Sequence, residues 1–404
     1  MDKALKASKH RKSVPGNIAC GPLLAVASEH RTLRQRVVEK LRAAGQMSRV
    51  ELARVLQVSP ATVTALSAEL IAAGLIEETD GPRDSTRGRP PVALTVAAGA
   101  HAVAGIKLSM DVHTAVVLDF AGGIIGQASR PALRHQHSVE DIISVAEDLL
   151  DDTLTAAGLD RGGLAGLGLG LPGVIEHERG RVMWSPMVAG RAVPLAKPLS
   201  ERLKMPVVLD NDANLLTLAE LWFGAGRAMD NFALVTIEHG VGMGLVINNR
   251  LFRGASGLGM ELGHTKVALD GALCRCGRRG CLEAYVSDYA LVREARTALN
   301  ADGGPTETTR DLLGRLFQEA EAGHGAARTI FSRAGRHLAM GLANVVQLFD
   351  PSLIILAGGQ VRFETLYADA VIAEMRALTL DTGRVPRVEV NAWGDMVWAR
   401  GAAA

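Results

Sequence analysis

Residues 274–281 read CRCGRRGC, so three of the chain's four cysteines fall within eight positions. His264 precedes them in the stretch GMELGHTK. Whatever else the chain does, this segment has to bend until thiols separated by one and by four residues face a common point. Gly277 and Gly280 supply backbone freedom for such bends. His264, Cys274, Cys276 and Cys281 together offer one imidazole and three thiols, the Cys3His donor set of a closed tetrahedral zinc site. A cytosolic thiol cluster without metal would be prone to oxidation. No ligand position remains for water, so the ion is expected to be structural. Arg275, Arg278 and Arg279 are placed to offset the thiolate charge.

The rest of the chain is long enough for two or three domains: 404 residues, 48% of them hydrophobic. Aromatic residues are scarce at 4% while glycines number 44, which suits an α/β protein with tight turns. No run of about 18 apolar residues appears, so no membrane span is expected. The basic N-terminus is not followed by a signal-peptide core. The expected compartment is the cytoplasm, where disulfides are rare and clustered cysteines point to metal. The net charge of +1 conceals an asymmetry. Residues 1–96 hold 15 Lys and Arg against 9 Asp and Glu, a net +6, whereas the remainder is net −5. A basic head on an acidic body suggests that the head meets a polyanion.

The head, after a basic tail over 1–30, has a legible pattern over 31–96. Leu33, Val37, Val38 and Leu41 recur at helical spacing, and Gly45 ends that run. Ser48 and Glu51 form a capping box for a short second helix. Ser59, followed by Pro60, opens a third helix that Gly74 stops. Two short helices around a tight turn describe a helix-turn-helix. Ser59, Thr62, Thr64 and Ser67 are candidate DNA contacts, with Leu66, Leu70 and Ile71 facing the core. LIEE and VALTV then read as a β-hairpin wing whose tip carries Arg83, Arg87 and Arg89. The RGRP run suits the narrow minor groove. Alone it reads as a stiff linker; the helix-turn-helix and the charge asymmetry together point to double-stranded DNA.

From residue 97 the pattern becomes α/β in two halves, 97–230 and 231–404, with a cleft expected between them. VVLDNDANLL is a strand that ends on polar residues and enters a helix. Ligands of open α/β sheets bind at the carboxyl ends of strands, which makes Asn211 and Asp212 site candidates; a plain helix cap is the alternative use. Glu261 and Glu283 flank the metal segment. A metal-bound imidazole keeps its second nitrogen for a ligand hydroxyl. Two carboxylates, that imidazole and the Asn211–Asp212 pair would suit a polyhydroxyl compound.

ELGHTK, CRCGRRGCLE, LDNDAN and LGLPG resemble the ROK family of repressors and sugar kinases over about residues 97–395, and the head resembles the winged helix-turn-helix of ROK repressors of the xylose-repressor type. The resemblance implies an actin-like ATPase (ribonuclease H-like) body of two lobes, its C-terminal helix packing back on lobe 1. It implies sugar contacts from Asn211, Asp212, Glu261, His264 and Glu283, with Asp212 in the place of a kinase's general base. The sequence departs from the family's kinases at both phosphate-holding turns. The first reads GIKLSMDVH, with Lys107 where a magnesium-directing acid is expected and Ser109-Met110 in place of paired glycines. The second is Glu238-His239-Gly240 rather than Gly-Thr-Gly. Side chains at the first turn obstruct the close backbone approach a phosphate needs, and a carboxylate at the second repels a triphosphate. Ser185-Pro186-Met187 replaces the family's serine and Pro-Asn, which leaves one sugar contact changed.

The expected function is therefore a sugar-responsive DNA-binding regulator, a repressor of carbohydrate-utilisation genes, acting as a dimer or tetramer with zinc and a small sugar, with no kinase activity and no membrane association. The alternative is a ROK sugar kinase with an accessory DNA-binding head.

Overall fold

The computed structural model describes residues 19–24, 31–81, 92–132, 136–299, 308–359, 368–380, 386–391 and 393–404. The chain forms two compact units. The first takes Met1–Gly21 and His30–Ala100, ending four residues beyond the expected boundary, together with Asp119–Gly123. It contains α1 (Leu33–Ala44), β1 (Met47–Ser48), α2 (Arg49–Leu56), α3 (Pro60–Ala72), β2 (Ile76–Asp80) and β3 (Val92–Val96). The caps explain the boundaries. Thr32 and Gln35 close a capping box at α1, Ser48 and Glu51 do so at α2, and Ser59 accepts from the Thr62 N–H at α3. Gly45 and Gly74 end α1 and α3 at positive φ, which glycine adopts without steric cost. β2 and β3 pair antiparallel, Ile76 opposite Val96, and β1 joins the far side of β3. Val37, Leu41, Leu52, Val63, Leu70 and Leu94 fill the small core. The result is a winged helix.

The second unit has two lobes, each built on a five-stranded sheet. Lobe 1 contains β4 (Ala102–Lys107), β5 (Val112–Asp119), β6 (Ile124–Pro131), α4 (Val139–Ala157), β7 (Leu164–Leu171), β8 (Val174–Glu176), β9 (Arg181–Trp184), β10 (Val193–Pro194), α5 (Ala196–Leu203), β11 (Val207–Asn211) and α6 (Asp212–Phe223). Its main sheet runs β11-β7-β4-β5-β6, with β11, β7 and β4 parallel. Lobe 2 contains β12 (Phe232–Ile237), β13 (Val241–Ile247), β14 (Arg250–Phe252), α7 (Glu283–Val286), α8 (Asp288–Ala298), α9 (Thr309–Glu321), α10 (Gly325–Phe349), β15 (Leu353–Ala357), α11 (Ala368–Leu378) and β16 (Arg387–Asn391). Its sheet runs β14-β13-β12-β15-β16.

The chain ends in α12 (Met396–Ala402), which lies against α6, β4 and β7 of lobe 1. That approach needs bare backbone. A Cβ on Gly105 of β4 would sit 2.0 Å from the Ala399 carbonyl oxygen, and one on Gly168 of β7 1.8 Å from that of Ala402. The glycine pattern of these strands thus reflects a helix seated directly on the sheet. Among the described residues, no single helix is long and apolar enough to cross a membrane.

Candidate functional site

The metal segment follows from its turns. The Lys266–Ala268 strand-like stretch meets Gly280 and Cys281, and the Cys274 N–H donates to the Arg278 carbonyl, folding the loop on itself. Gly277 and Gly280 have φ of +82° and +73°, and a Cβ on Gly280 would strike the Ala268 carbonyl. The ligand atoms of His264, Cys274, Cys276 and Cys281 all lie within 4.8 Å of one another. Cys276 Sγ and Cys281 Sγ are 3.7 Å apart, as are Cys274 Sγ and His264 Nδ1. A tetrahedral ion with metal–sulfur bonds of about 2.3 Å needs sulfurs roughly 3.8 Å apart. Without an ion, burial pushes the Cys274 thiol up to about 12, so a cation is what would make this site a thiolate cluster. The cluster can hold a metal ion.

Two of the three arginines expected to balance the sulfurs are engaged elsewhere. Arg275 stacks on the Tyr289 ring, 4.0 Å from its centroid, and Arg279 donates to the Gly271 carbonyl. Lys266 instead places Nζ 2.7 Å from Cys281 Sγ. Tyr289 was also not foreseen. Its hydroxyl lies 3.5 Å from both Cys274 Sγ and Glu283 Oε1, which joins the metal loop to the neighbouring carboxylate. Lys266 is adjacent to GHT in the sequence, but only the loop's antiparallel bridge brings it beside Cys281.

The five candidate sugar residues come from both lobes. Asn211 ends β11 and caps α6, its Oδ1 accepting the Asn214 N–H at 2.8 Å. The cap and the site are thus compatible uses, since the amide nitrogen of Asn211 is not needed for the cap. Asp212 is the first residue of α6, and Glu283 the first of α7, 9% exposed. Glu261 precedes the one-turn helix that ends at His264. Burial raises Glu261 to about 7, and the negative charges of Asp212 and Glu283 push it the same way. The three carboxyl groups therefore share one region, with no cation among the groups that shift Glu261. Asp210, behind them, is buried and fully engaged: Arg253 donates to Oδ2 at 2.7 Å, while the Asn211 N–H and the Asn214 side chain donate to Oδ1. At the altered segment, Met187 is 2% exposed and belongs to the lobe 1 core, and Ser185 donates to the Pro172 carbonyl.

The turn between β4 and β5 engages its own N–H groups within the chain. The N–H groups of Asp111 and Val112 donate to Ser109 Oγ, which donates to the Val112 carbonyl. The Ser109 N–H donates to His113 Nδ1 and the Leu108 N–H to the Gly170 carbonyl. Burial, reinforced by His137, lowers His113 to about 4, so its ring is neutral and free to accept. Lys107 lies over the Trp398 ring, 3.7 Å from its centroid. In the second turn, burial raises the Glu238 pKa while Lys107 opposes the rise.

In the head, Ser59 and Thr62 are exposed and hydrogen-bonded to each other at 2.8 Å; Thr64 is exposed and donates to the Pro60 carbonyl. Ser67 is a correction. It is 1% exposed, accepts from Arg49 Nε and donates to the Thr64 carbonyl, because the helix turns that position inward beside Leu70 and Val63. It is not available to DNA. Arg83, Arg87 and Arg89 lie outside the described residues.

The profile of the ROK family matches residues 104–404, and that of the MarR family residues 34–85. The xylose repressor of Caldicellulosiruptor bescii is 29% identical over 328 residues, covering 80% of this chain and 82% of that protein. A glucokinase of Halalkalibacterium halodurans is 32% identical over 253 residues, covering 60% of this chain and 75% of that one. A crystal structure of a ROK family transcriptional regulator, homologous to the E. coli MLC protein, superposes with a TM-score of 0.74 at 25% identity, covering 88% of this chain and 90% of that one. With the winged helix at one end, and two lobes of the sugar-kinase fold carrying converged carboxylates beside a Cys3His loop, the chain belongs to the ROK family.

Proposed function

We propose that this chain is a sugar-responsive, DNA-binding transcriptional repressor of carbohydrate-utilisation genes that carries out no phosphoryl transfer. Its MarR-type winged helix, its ROK body and its similarity to a xylose repressor and to a solved ROK regulator support that reading. The observation that carries it is the contrast within the body. The N–H groups of Leu108, Ser109, Asp111 and Val112 are satisfied inside the chain, whereas Asp212, Glu261 and Glu283 remain together beside His264. A nucleotide would meet those four donors already engaged, and a sugar would find acceptors.

In this reading Asn211, Asp212, Glu261, His264 and Glu283 bind sugar in the cleft, with Asp212 serving a hydroxyl rather than catalysis. Zinc sits on His264, Cys274, Cys276 and Cys281 and fixes the loop from which His264 reaches the ligand. Ser59, Thr62 and Thr64 meet DNA, with Arg83, Arg87 and Arg89 entering a groove from the wing. The chain works in the cytoplasm as a homodimer or tetramer, because one winged helix offers too small an interface for specific affinity. Sugar closing the cleft would alter the spacing of two heads on two half-sites. A gel shift with the chain's own upstream DNA, with and without a panel of sugars, tests this; no retarded band with any upstream fragment would rule it out.

The glucokinase similarity and the retained Asp212 favour a second reading, a sugar kinase with a DNA-binding head. Coupled ADP release above about 1 s⁻¹ with any hexose or pentose, an ordinary enzyme rate, would select it.

A further inference from the structure

His239, in the β12–β13 turn, makes contacts that neither DNA nor sugar binding uses. Its Nε2 lies 2.8 Å from Oδ2 of Asp111, in the β4–β5 turn of the opposite lobe, and its Nδ1 lies 3.3 Å from Oδ2 of Asp288 at the start of α8. A neutral imidazole donates from one nitrogen only, so two carboxylates are satisfied together only by the imidazolium. The hydrogen bond to Asp288 raises His239 most; burial opposes it, Asp111 adds to it, and the result is about 9. Other charges nearby are Glu238, on the same turn, and Lys107 of β4 and Asp212 of α6, which act on Glu238 in opposite senses. Asp288 is 16% exposed and Asp111 74%, so the bridge is anchored in lobe 2 and reaches lobe 1 at the rim.

The turn also touches the cleft floor. The Val241 N–H donates to Glu283 Oε2 at 3.3 Å, and a Cβ on Gly240 would lie 2.8 Å from the same oxygen. Movement of residues 238–241 is therefore transmitted to Glu283 by direct contact.

We propose that His239 is an interlobe latch: by tying the 238–241 turn to Asp111, it holds the two lobes together at the cleft rim and positions Glu283 for the sugar. This rests on the sugar-binding reading above. A histidine raised in the folded state contributes fully below its unfolded pKa of 6.5 and loses that contribution as pH rises through about 9. The latch thus loosens in alkali, and neutralising Asp111 loosens it already at pH 7.

The test uses the full chain, its His239→Gln and Asp111→Asn variants, and D-xylose, D-glucose and N-acetylglucosamine as probes in isothermal titration. The sugar that binds the wild type should bind each variant about two- to fivefold more weakly at pH 7, as expected for an exposed ionic contact. The ratio of wild-type to variant affinity should fall between pH 7 and 9.5 and reach one, since Glu261 titrates alike in all three proteins. Equal affinities at pH 7 overturn the proposal. Ring-carbon NMR of labelled histidine supplies a second readout independent of sugar. His239 should titrate near 9 in the wild type and lower in Asp111→Asn; titration near 6.5 in the wild type overturns the latch. If no probe binds while His239 titrates near 9 in the wild type and lower in Asp111→Asn, the latch stands and the sugar reading fails.

Discussion

The metal loop and the β4–β5 turn are both tight bends, and they use their polar groups in opposite ways. In the loop, backbone hydrogen bonds such as Cys274 N–H to Arg278 fix the bend and leave three thiols and an imidazole pointing at one place. In the turn, Ser109 and His113 engage the N–H groups a phosphate would need. A bend binds what its local geometry leaves unsatisfied. Residue type alone does not say which groups those are, since serine and histidine are ligands in one context and caps in another.

That contrast predicts that groups left open govern ligands and groups already engaged govern only stability. The largest effect belongs to the loop. Cys281→Ser should abolish stoichiometric metal in elemental analysis and lower the melting temperature by roughly 10 °C, since a structural ion couples directly to folding. Metal retained at full stoichiometry would break the comparison at its strongest point. Glu283→Gln comes next. Loss of a charged acceptor should weaken sugar binding by about ten- to hundredfold in calorimetry, with the fold intact by circular dichroism.

The crowded carboxyls give a pH signature. Glu261 sits at about 7 when folded against 4.5 as an ordinary glutamate. The folded chain then holds more protons than the unfolded one between those values, so stability falls as pH rises through the window. Ligand-free, metal-loaded protein should lose up to about 3 kcal/mol between pH 4.5 and 7 from this group, and Glu261→Gln should remove that slope in denaturant titrations. An unchanged slope in the variant would mean that the three carboxylates do not share the region. The smallest effect concerns a group that is already engaged. Ser67→Ala should cost about 1 kcal/mol of stability and leave DNA affinity unaltered in a gel shift, whereas Thr62→Ala, at an exposed hydroxyl that bonds Ser59, should weaken DNA binding more than it lowers the melting temperature.

Much of this was legible because it is local. Ser48 with Glu51, Ser59 with Pro60 and the spacing of the cysteines act within a few residues, and caps and metal loops are decided over that range. The strand ending in Asn211-Asp212 was legible for the same reason. What was not legible depends on distant partners. Ser67 looks like its neighbours Thr62 and Thr64 until Arg49, from another helix, takes its hydroxyl. Lys266 and Tyr289 join the metal loop only through its fold. His113, four residues from Ser109, gave no signal as its seal, because only the conformation of the turn brings its ring to the Ser109 N–H.

The helix α12 rests its backbone on Gly105 and Gly168, in strands made early, and covers them with residues made well after them. On the ribosome, lobe 1 therefore carries an open groove along its first strands until residues 396–402 emerge. A nascent chain can complete its winged helix long before that groove is filled, so for much of its synthesis the reader of DNA exists without the finished body that governs it.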